Sequence, residues 1–109
     1  MRKIYAFDFD GTLCQEAYPS IGKPNKAMIR FVKRQKRRGH RIILWTCRCG
    51  TPLEEAIDWC KAQGITFDAI NNNLPETLLK YGTDSRKITA DYYIDDKMLG
   101  FPLLLSLLG

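Results

Sequence analysis

The segment FDFDGTL, residues 7–13, places two carboxylates two positions apart inside an apolar run. If a strand continued through it, Asp8 and Asp10 would point to the same face, because alternate side chains share one face of a strand. Gly11 and Thr12 instead indicate a turn. We therefore expect a buried strand that ends at Asp8, with Asp10 on the loop that follows, and polar groups at such strand ends are typical of binding and catalytic sites.

Strands and helices alternate in the sequence pattern. Apolar, strand-like runs at KIYAFDF, HRIILWT, FDAIN and DYYID are separated by helical patterns over residues 24–38 and 52–63. Pro24 and Pro52 suit the first turns of these helices. The β-α-β-α-β order predicts an α/β fold, a small doubly wound parallel sheet covered on both faces. Residues 71–90 are less regular, and we expect one short helix there, near 76–81.

Length and composition indicate one folded unit. The chain has 109 residues, of which 45% are hydrophobic and 27% charged, as in ordinary globular domains, so we expect a single domain over residues 1–109. The longest apolar stretch, LGFPLLLSLLG, is too short to cross a membrane. Asp8 and Asp10 interrupt the basic and apolar start too early for a signal peptide, which predicts a cytoplasmic protein.

The net charge of +5 comes largely from the basic run at residues 33–41. Such a run could bind nucleic acid, but the solvated end of a helix is the favoured interpretation, because basic groups complement the helix dipole there. The four cysteines form no C-x-x-C pair, so we expect free thiols, and the spacing of Cys47 and Cys49 disfavours a zinc site. His40 is the only histidine, and we expect a surface role for it.

Polar residues follow three of the predicted strands. Because parallel strands place their carboxyl ends at one edge of a sheet, these residues should converge; they are Asp8 and Asp10, Thr46, and Asp95 and Asp96. Crowded carboxylates need a cation, and oxygen ligands without histidine or thiolate favour Mg²⁺ over zinc. A hydroxyl and a lysine, either Lys80 or Lys87, would hold the oxygens of a phosphate. The pattern predicts phosphoryl transfer.

Three of these segments, FDFDGTL, IILWTCR and YYIDDK, resemble motifs one, two and four of the haloacid dehalogenase-like (HAD) superfamily, over residues 4–97. The resemblance implies a three-layer Rossmann-like fold with strand order 3-2-1-4. It also implies a magnesium-dependent phosphomonoester hydrolase. Most members carry a cap domain between these motifs, whereas the gaps here hold little more than one helix each, so the chain resembles a small capless member.

The resemblance also implies a role for each matching residue. Asp8 would attack phosphorus and become a phosphoaspartate, while Asp10 would protonate the leaving oxygen and later activate water. Thr46 and a lysine would bind the phosphoryl group, and Lys87 is preferred to Lys80. Arg48 is a candidate for substrate binding, with a plain surface arginine as the alternative. The implied magnesium ligands are Asp8, Asp95, Asp96 and the backbone carbonyl of Asp10.

Other interpretations make different predictions. A receiver domain would carry its phosphorylated aspartate after the third strand, where this chain has AINNN. A true dehalogenase would not need Asp10 or a metal. A non-catalytic phosphate- or partner-binding module on the same fold would lack a motif residue, and none is missing. The substrate class stays open, and the apolar tail at residues 101–109 either packs on the sheet's own flank or forms a homo-oligomer interface.

Overall fold

The structure is a computed structural model, and it describes residues 2–81 and 88–108. Within this part of the chain, short strands alternate with helices. The strands are β1 (Ile4–Phe7), β2 (Arg41–Leu44), β3 (Ala69–Ile70) and β4 (Tyr92–Ile94), and the helices are α1 (Lys26–Arg37), α2 (Gly50–Ala62), α3 (Pro75–Tyr81) and α4 (Phe101–Leu108). The predicted alternation is confirmed, and each strand is shorter than the apolar run that predicted it.

The strands form one parallel sheet in the order β3-β2-β1-β4. This confirms the expected order and places β1 between β2 and β4. Phe7, the last residue of β1, pairs with Leu44 in β2 and with Ile94 in β4. The residues that follow these three strands therefore leave the sheet side by side at one edge.

Apolar side chains cover both faces of the sheet. Phe7 and Leu44 belong to a buried cluster that includes residues of α1, α2 and α4. Ala6 and Ile43, their neighbours in the same strands, belong to a second cluster with Leu74 from the segment before α3. Because adjacent strand residues point to opposite faces, the two clusters lie on opposite sides of the sheet. The parallel sheet is buried on both sides, as the continuous apolar runs predict.

Helix α1 carries the basic run at its end. It begins after Asn25, whose side chain accepts a hydrogen bond from Met28 N at 3.4 Å, and the chain leaves it through Gly39 at φ 86°. Its last turn is basic. Lys36 there pairs with Asp68 at 3.0 Å. The basic run is thus the end of a helix, as favoured from the sequence, and a polyanion partner stays untested.

The histidine binds a backbone amide, and all four cysteines are free. His40 Nδ1 accepts a hydrogen bond from Lys3 N at 2.9 Å. This contact lies at the beginning of β1, away from the carboxyl ends of the strands. Burial raises the pKa of Cys60 to about 12, so this thiol stays protonated. Cys47 and Cys49 are exposed and free. Residues 2–81 and 88–108 contain no cysteine in a cluster of three metal-ligating side chains.

Helix α4 packs one face on the domain and leaves another in water. Phe101 is buried, and Leu104 and Leu105 pack on the main apolar cluster, which supports the simpler expectation for the tail. Leu103 and Leu107 are 65% and 76% exposed. Among the described helices, none is both long and apolar enough to cross a membrane.

Candidate functional site

Three carboxylates meet at the carboxyl edge of the sheet. Asp8 follows β1, and Asp95 and Asp96 follow β4. One oxygen from each side chain lies within 4.8 Å of the other two. The structure therefore brings together the three side chains that the sequence proposes as metal ligands.

The carboxylates oppose one another's ionisation. Burial, together with the charges of Asp95, Asp96 and Asp10, raises the pKa of Asp8 to about 6. Burial and the hydrogen bond with Asp95 also raise the pKa of Asp96. Removal from water and like charges both disfavour the ionised forms. A cation among the three oxygens would reverse this effect, and hard oxygen donors suit Mg²⁺.

The loop after β1 fits closely around Asp96. Gly11 has φ +83°, and a Cβ atom there would lie 2.3 Å from Asp96 Oδ2, so any other residue would strain the backbone and displace the Asp96 carboxylate. Thr12 is fully buried, and its Oγ1 accepts a hydrogen bond from Asp96 N at 2.9 Å. The D-G-T sequence thus fixes one carboxylate of the cluster. Sequence reasoning treated Gly11 and Thr12 only as a turn signal.

Asp10 is held by Arg48 in a two-point ion pair. Arg48 Nη2 donates to Asp10 Oδ1 at 2.7 Å, and Nε donates to Oδ2 at 2.8 Å. The Asp10 side chain is not part of the three-carboxylate cluster. The expectation that Asp10 contributes only its backbone carbonyl to a metal stays a prediction. Its carboxylate binds Arg48 and is not one of the three clustered carboxylates.

Arg48 differs from both expectations for it. It is 2% exposed, so the interpretation as a surface arginine is wrong. Its other N–H groups donate to three backbone carbonyls: Pro19 O at 3.1 Å, Ser20 O at 2.9 Å and Pro52 O at 3.2 Å. A guanidinium has five N–H donors, and all five are used within the protein. These contacts leave none for a substrate phosphate, so they do not support the substrate-binding role.

Thr46 lies beside the carboxylates with its hydroxyl available. Its Oγ1 accepts a hydrogen bond from Arg48 N at 3.1 Å and keeps its own proton for donation. Asn71 Oδ1 accepts a hydrogen bond from Thr46 N at 2.8 Å. Asn71 sits at φ 53°, a left-handed conformation that asparagine tolerates better than most residues. Sequence analysis missed Asn71, for which the NNN run was the available signal.

Of the two candidate phosphate-binding lysines, the structure describes only Lys80. Lys80 is not among the residues that line the site; it lies in the last turn of α3, one turn after Glu76, which pairs with Arg41 at the start of β2. Lys87 lies outside the described residues. Lys97, which was not predicted, borders the site directly after the acidic pair.

The carboxylates open into a cavity of about 770 Å³. Two exposed aromatic side chains contribute to its walls: Tyr18 from the β1–α1 loop is 56% exposed, and Trp45 after β2 is 41% exposed. Glu16 and Lys97 add polar groups of opposite charge. The cavity holds far more than a phosphate, so part of the substrate's leaving group would also fit inside it.

Comparison with known proteins gives one structural relative. No protein-family model matches the chain, and no curated protein matches it. The solved structure of a conserved protein from Bacteroides thetaiotaomicron is similar at 37% identity and a TM-score of 0.82, over 99% of this chain and 90% of that one. This chain belongs to the same family as that conserved protein. The description of that protein names no activity, so the site's chemistry is argued from its geometry.

Proposed function

We propose that the chain is a magnesium-dependent phosphomonoester hydrolase with the capless Rossmann-like fold of the HAD-like superfamily, acting through a phosphoaspartate on Asp8. The observation that carries the proposal is the cluster of Asp8, Asp95 and Asp96, whose oxygens lie within 4.8 Å of one another. Asp10 and Thr46 line the same cavity. A carboxylate nucleophile, an acid–base group and a hydroxyl donor are thus available in the lining of one cavity.

The first half-reaction transfers the phosphoryl group to the protein. An Asp8 carboxylate oxygen forms a bond to phosphorus while the bond from phosphorus to the ester oxygen breaks. Asp10 supplies the proton that the departing alkoxide needs, so the product leaves as an alcohol. Asp8 is partly buried and lines the cavity, so a substrate in the cavity can reach it.

The second half-reaction releases phosphate. Water attacks phosphorus, the bond from Asp8 oxygen to phosphorus breaks, and Asp10 takes the proton that water loses. The ion pair between Asp10 and Arg48 would stabilise the carboxylate form that Asp10 has at the start of this second step, after it has given up its proton. One residue therefore serves as acid and then as base, and the proton balance closes after one turnover.

Mg²⁺ fits the cluster because all three side-chain donors are carboxylate oxygens, and burial together with neighbouring negative charge raises the pKa values of Asp8 and Asp96. Asp8, Asp95 and Asp96 would hold the ion, with the carbonyl of Asp10 as a further proposed ligand. When bound, it would offset the repulsion between the Asp8 carboxylate and an incoming phosphate dianion. Thr46 and Lys87 are the proposed phosphoryl ligands.

The nucleophile is tested with Asp8→Asn. We expect the wild type to hydrolyse a generic phosphomonoester with Mg²⁺ and to lose activity on chelation. The variant should form no phosphoenzyme, because an amide is a far poorer nucleophile than a carboxylate. Asp58→Asn, an exposed carboxylate on α2, is the matched control and should behave as wild type. Activity that survives excess chelator, or a phosphate adduct on another residue, would contradict the proposal.

Asp10→Asn separates catalysis from binding. This variant should keep phosphate and Mg²⁺ binding while turnover falls by about a hundredfold or more, the usual contribution of a general acid–base group. The non-catalytic alternative predicts instead that the wild type binds phosphate and Mg²⁺ without measurable turnover. Wild-type turnover in Asp10→Asn would make Asp10 a structural residue only.

A further inference from the structure

We infer that the site is built for a phosphomonoester whose leaving group carries a flat aromatic ring, as a nucleoside monophosphate does. The inference rests on the proposed function, since it assigns the substrate class of the same site. It is drawn from the aromatic pair, Tyr18 and Trp45, and from the volume of the cavity that they share with the carboxylates.

Each aromatic ring contacts one neighbouring side chain and remains partly exposed. The guanidinium carbon of Arg48 lies 5.1 Å from the centroid of the Tyr18 ring. The Trp45 ring lies 5.4 Å from that of Tyr93. Contacts of this kind hold a ring in place without covering both of its faces. Tyr18 and Trp45 still expose 56% and 41% of their surface, and both border the cavity.

The size of the cavity favours a ligand larger than a simple phosphate ester. About 770 Å³ is within the range of pockets that enclose whole small molecules. A phosphate at the carboxylates would leave most of this volume to the leaving group, with Trp45 and Tyr18 on its walls. Glu16 and Lys97 would offer hydrogen bonds to the polar edge of such a group.

Flat heteroaromatic rings gain more from such walls than a sugar does. Stacking of a base on an aromatic side chain contributes about 1–3 kcal/mol and tolerates different bases, because every base has a π-face. A sugar phosphate without a base would fill less of the cavity and would leave the two rings in water. The site should therefore prefer the ester that carries the base.

The matched substrate pair is adenosine 5′-monophosphate and ribose 5-phosphate, in which a hydroxyl group replaces the base. With Mg²⁺, kcat/KM for the nucleotide should exceed that for the sugar phosphate by about tenfold or more. Trp45→Ala should lower the ratio of the two kcat/KM values towards one, and Trp45→Phe should restore part of that ratio. Tyr92→Ala, an exposed aromatic on β4 outside the cavity, is the control. Phenyl phosphate, an aromatic ester without a nucleoside, tests whether the site prefers nucleosides or any aromatic leaving group.

Binding gives a second readout that does not depend on turnover. In Asp8→Asn with Mg²⁺, the nucleotide should quench the fluorescence of Trp45 saturably, and ribose 5-phosphate should not. Trp59 packs on Phe9 away from the cavity, so the quench should vanish in Asp8→Asn with Trp45→Phe. Equal turnover of the pair with no quench overturns this inference and leaves the proposed function standing. A saturable quench without hydrolysis of either ester supports the inference as a binding site and contradicts the proposed function.

Discussion

At the scale of single residues, Arg48 connects more of the site than any other side chain described. It binds both oxygens of Asp10 and also the carbonyls of Pro19 and Ser20 in the β1–α1 loop. That loop carries Tyr18 into the cavity wall. Arg48 thus positions the proposed acid–base group and one wall of the substrate cavity together. A buried guanidinium held by a carboxylate and carbonyls can do this because its planar fork fixes several directions at once.

Arg48→Lys should lower kcat and leave KM for ribose 5-phosphate nearly unchanged. A single ammonium cannot reproduce the two-point contact with Asp10 or the three carbonyl contacts, and a misplaced acid–base group costs about a hundredfold in rate. KM for this ester should change little, because it carries no base to stack on Tyr18 and Arg48 has no N–H group left for its phosphate. Steady-state kinetics, with folding checked by circular dichroism, measure the split. A large rise in KM with kcat unchanged would instead show that Arg48 binds the substrate.

Sequence alone could place Asp8, Thr46, Asp95 and Asp96 because each follows an apolar strand, and parallel strands end at one edge. It could not place Arg48. Whether an arginine four residues after a strand is exposed or buried depends on carbonyls from a loop almost thirty positions earlier, which no local pattern encodes. The aromatic pair escaped prediction for the same reason, since Tyr18 reaches the cavity only through the path of that loop.

At the scale of elements, α4 shows what a run of leucines predicts about packing and what it leaves open. The leucine-rich tail predicts an apolar surface, and the structure separates it into a packed face and an open one. Leu104 and Leu105 contact the main cluster, whereas Leu103 and Leu107 lie one turn apart in water. The homo-oligomer proposed through this tail would use the open face.

Replacing Leu103 and Leu107 by lysine should leave the free energy of unfolding within about 0.5 kcal/mol of wild type, because neither side chain is buried. Leu104→Ala should cost about 1–3 kcal/mol, since it removes packed methyl groups. Urea denaturation compares the three proteins. The open face would be a subunit interface if sedimentation showed wild-type dimers and if the double variant were less stable than wild type by an amount that grows with protein concentration.

At the scale of the whole molecule, strand order decides where the chemistry lies. With β1 between β2 and β4, the residue after β1 has a neighbour on each side: Thr46 beyond the end of β2 and Asp95 beyond the end of β4. The fold therefore concentrates negative charge in a half-buried place at the centre of one edge. Folding works against that repulsion, and the stability of the metal-free protein should depend on pH accordingly.

Without metal, the free energy of unfolding should fall as pH rises through the window between the unfolded and folded pKa values of Asp8. The carboxyl titrates near pH 4 when unfolded, and burial beside Asp95 and Asp96 raises its pKa to about 6 when folded. Between these values the folded state binds more protons than the unfolded state, so deprotonation destabilises it. The stabilisation is complete below about pH 4 and is lost above about pH 6.

Asp8→Asn should remove most of this slope and, in chelator at about pH 7, should be more stable than wild type by about 1 kcal/mol. A pKa shift of about two units would correspond to a larger difference in the free energy of unfolding, but solvent screens a half-buried carboxylate and reduces the effect. Urea denaturation near pH 5 and near pH 7 measures the difference, with Asp58→Asn as control. Adding Mg²⁺ should raise the stability of the wild type near pH 7 and do much less near pH 5, where protons compete for the same oxygens. An equal slope in wild type and Asp8→Asn would show that repulsion at Asp8 does not oppose folding.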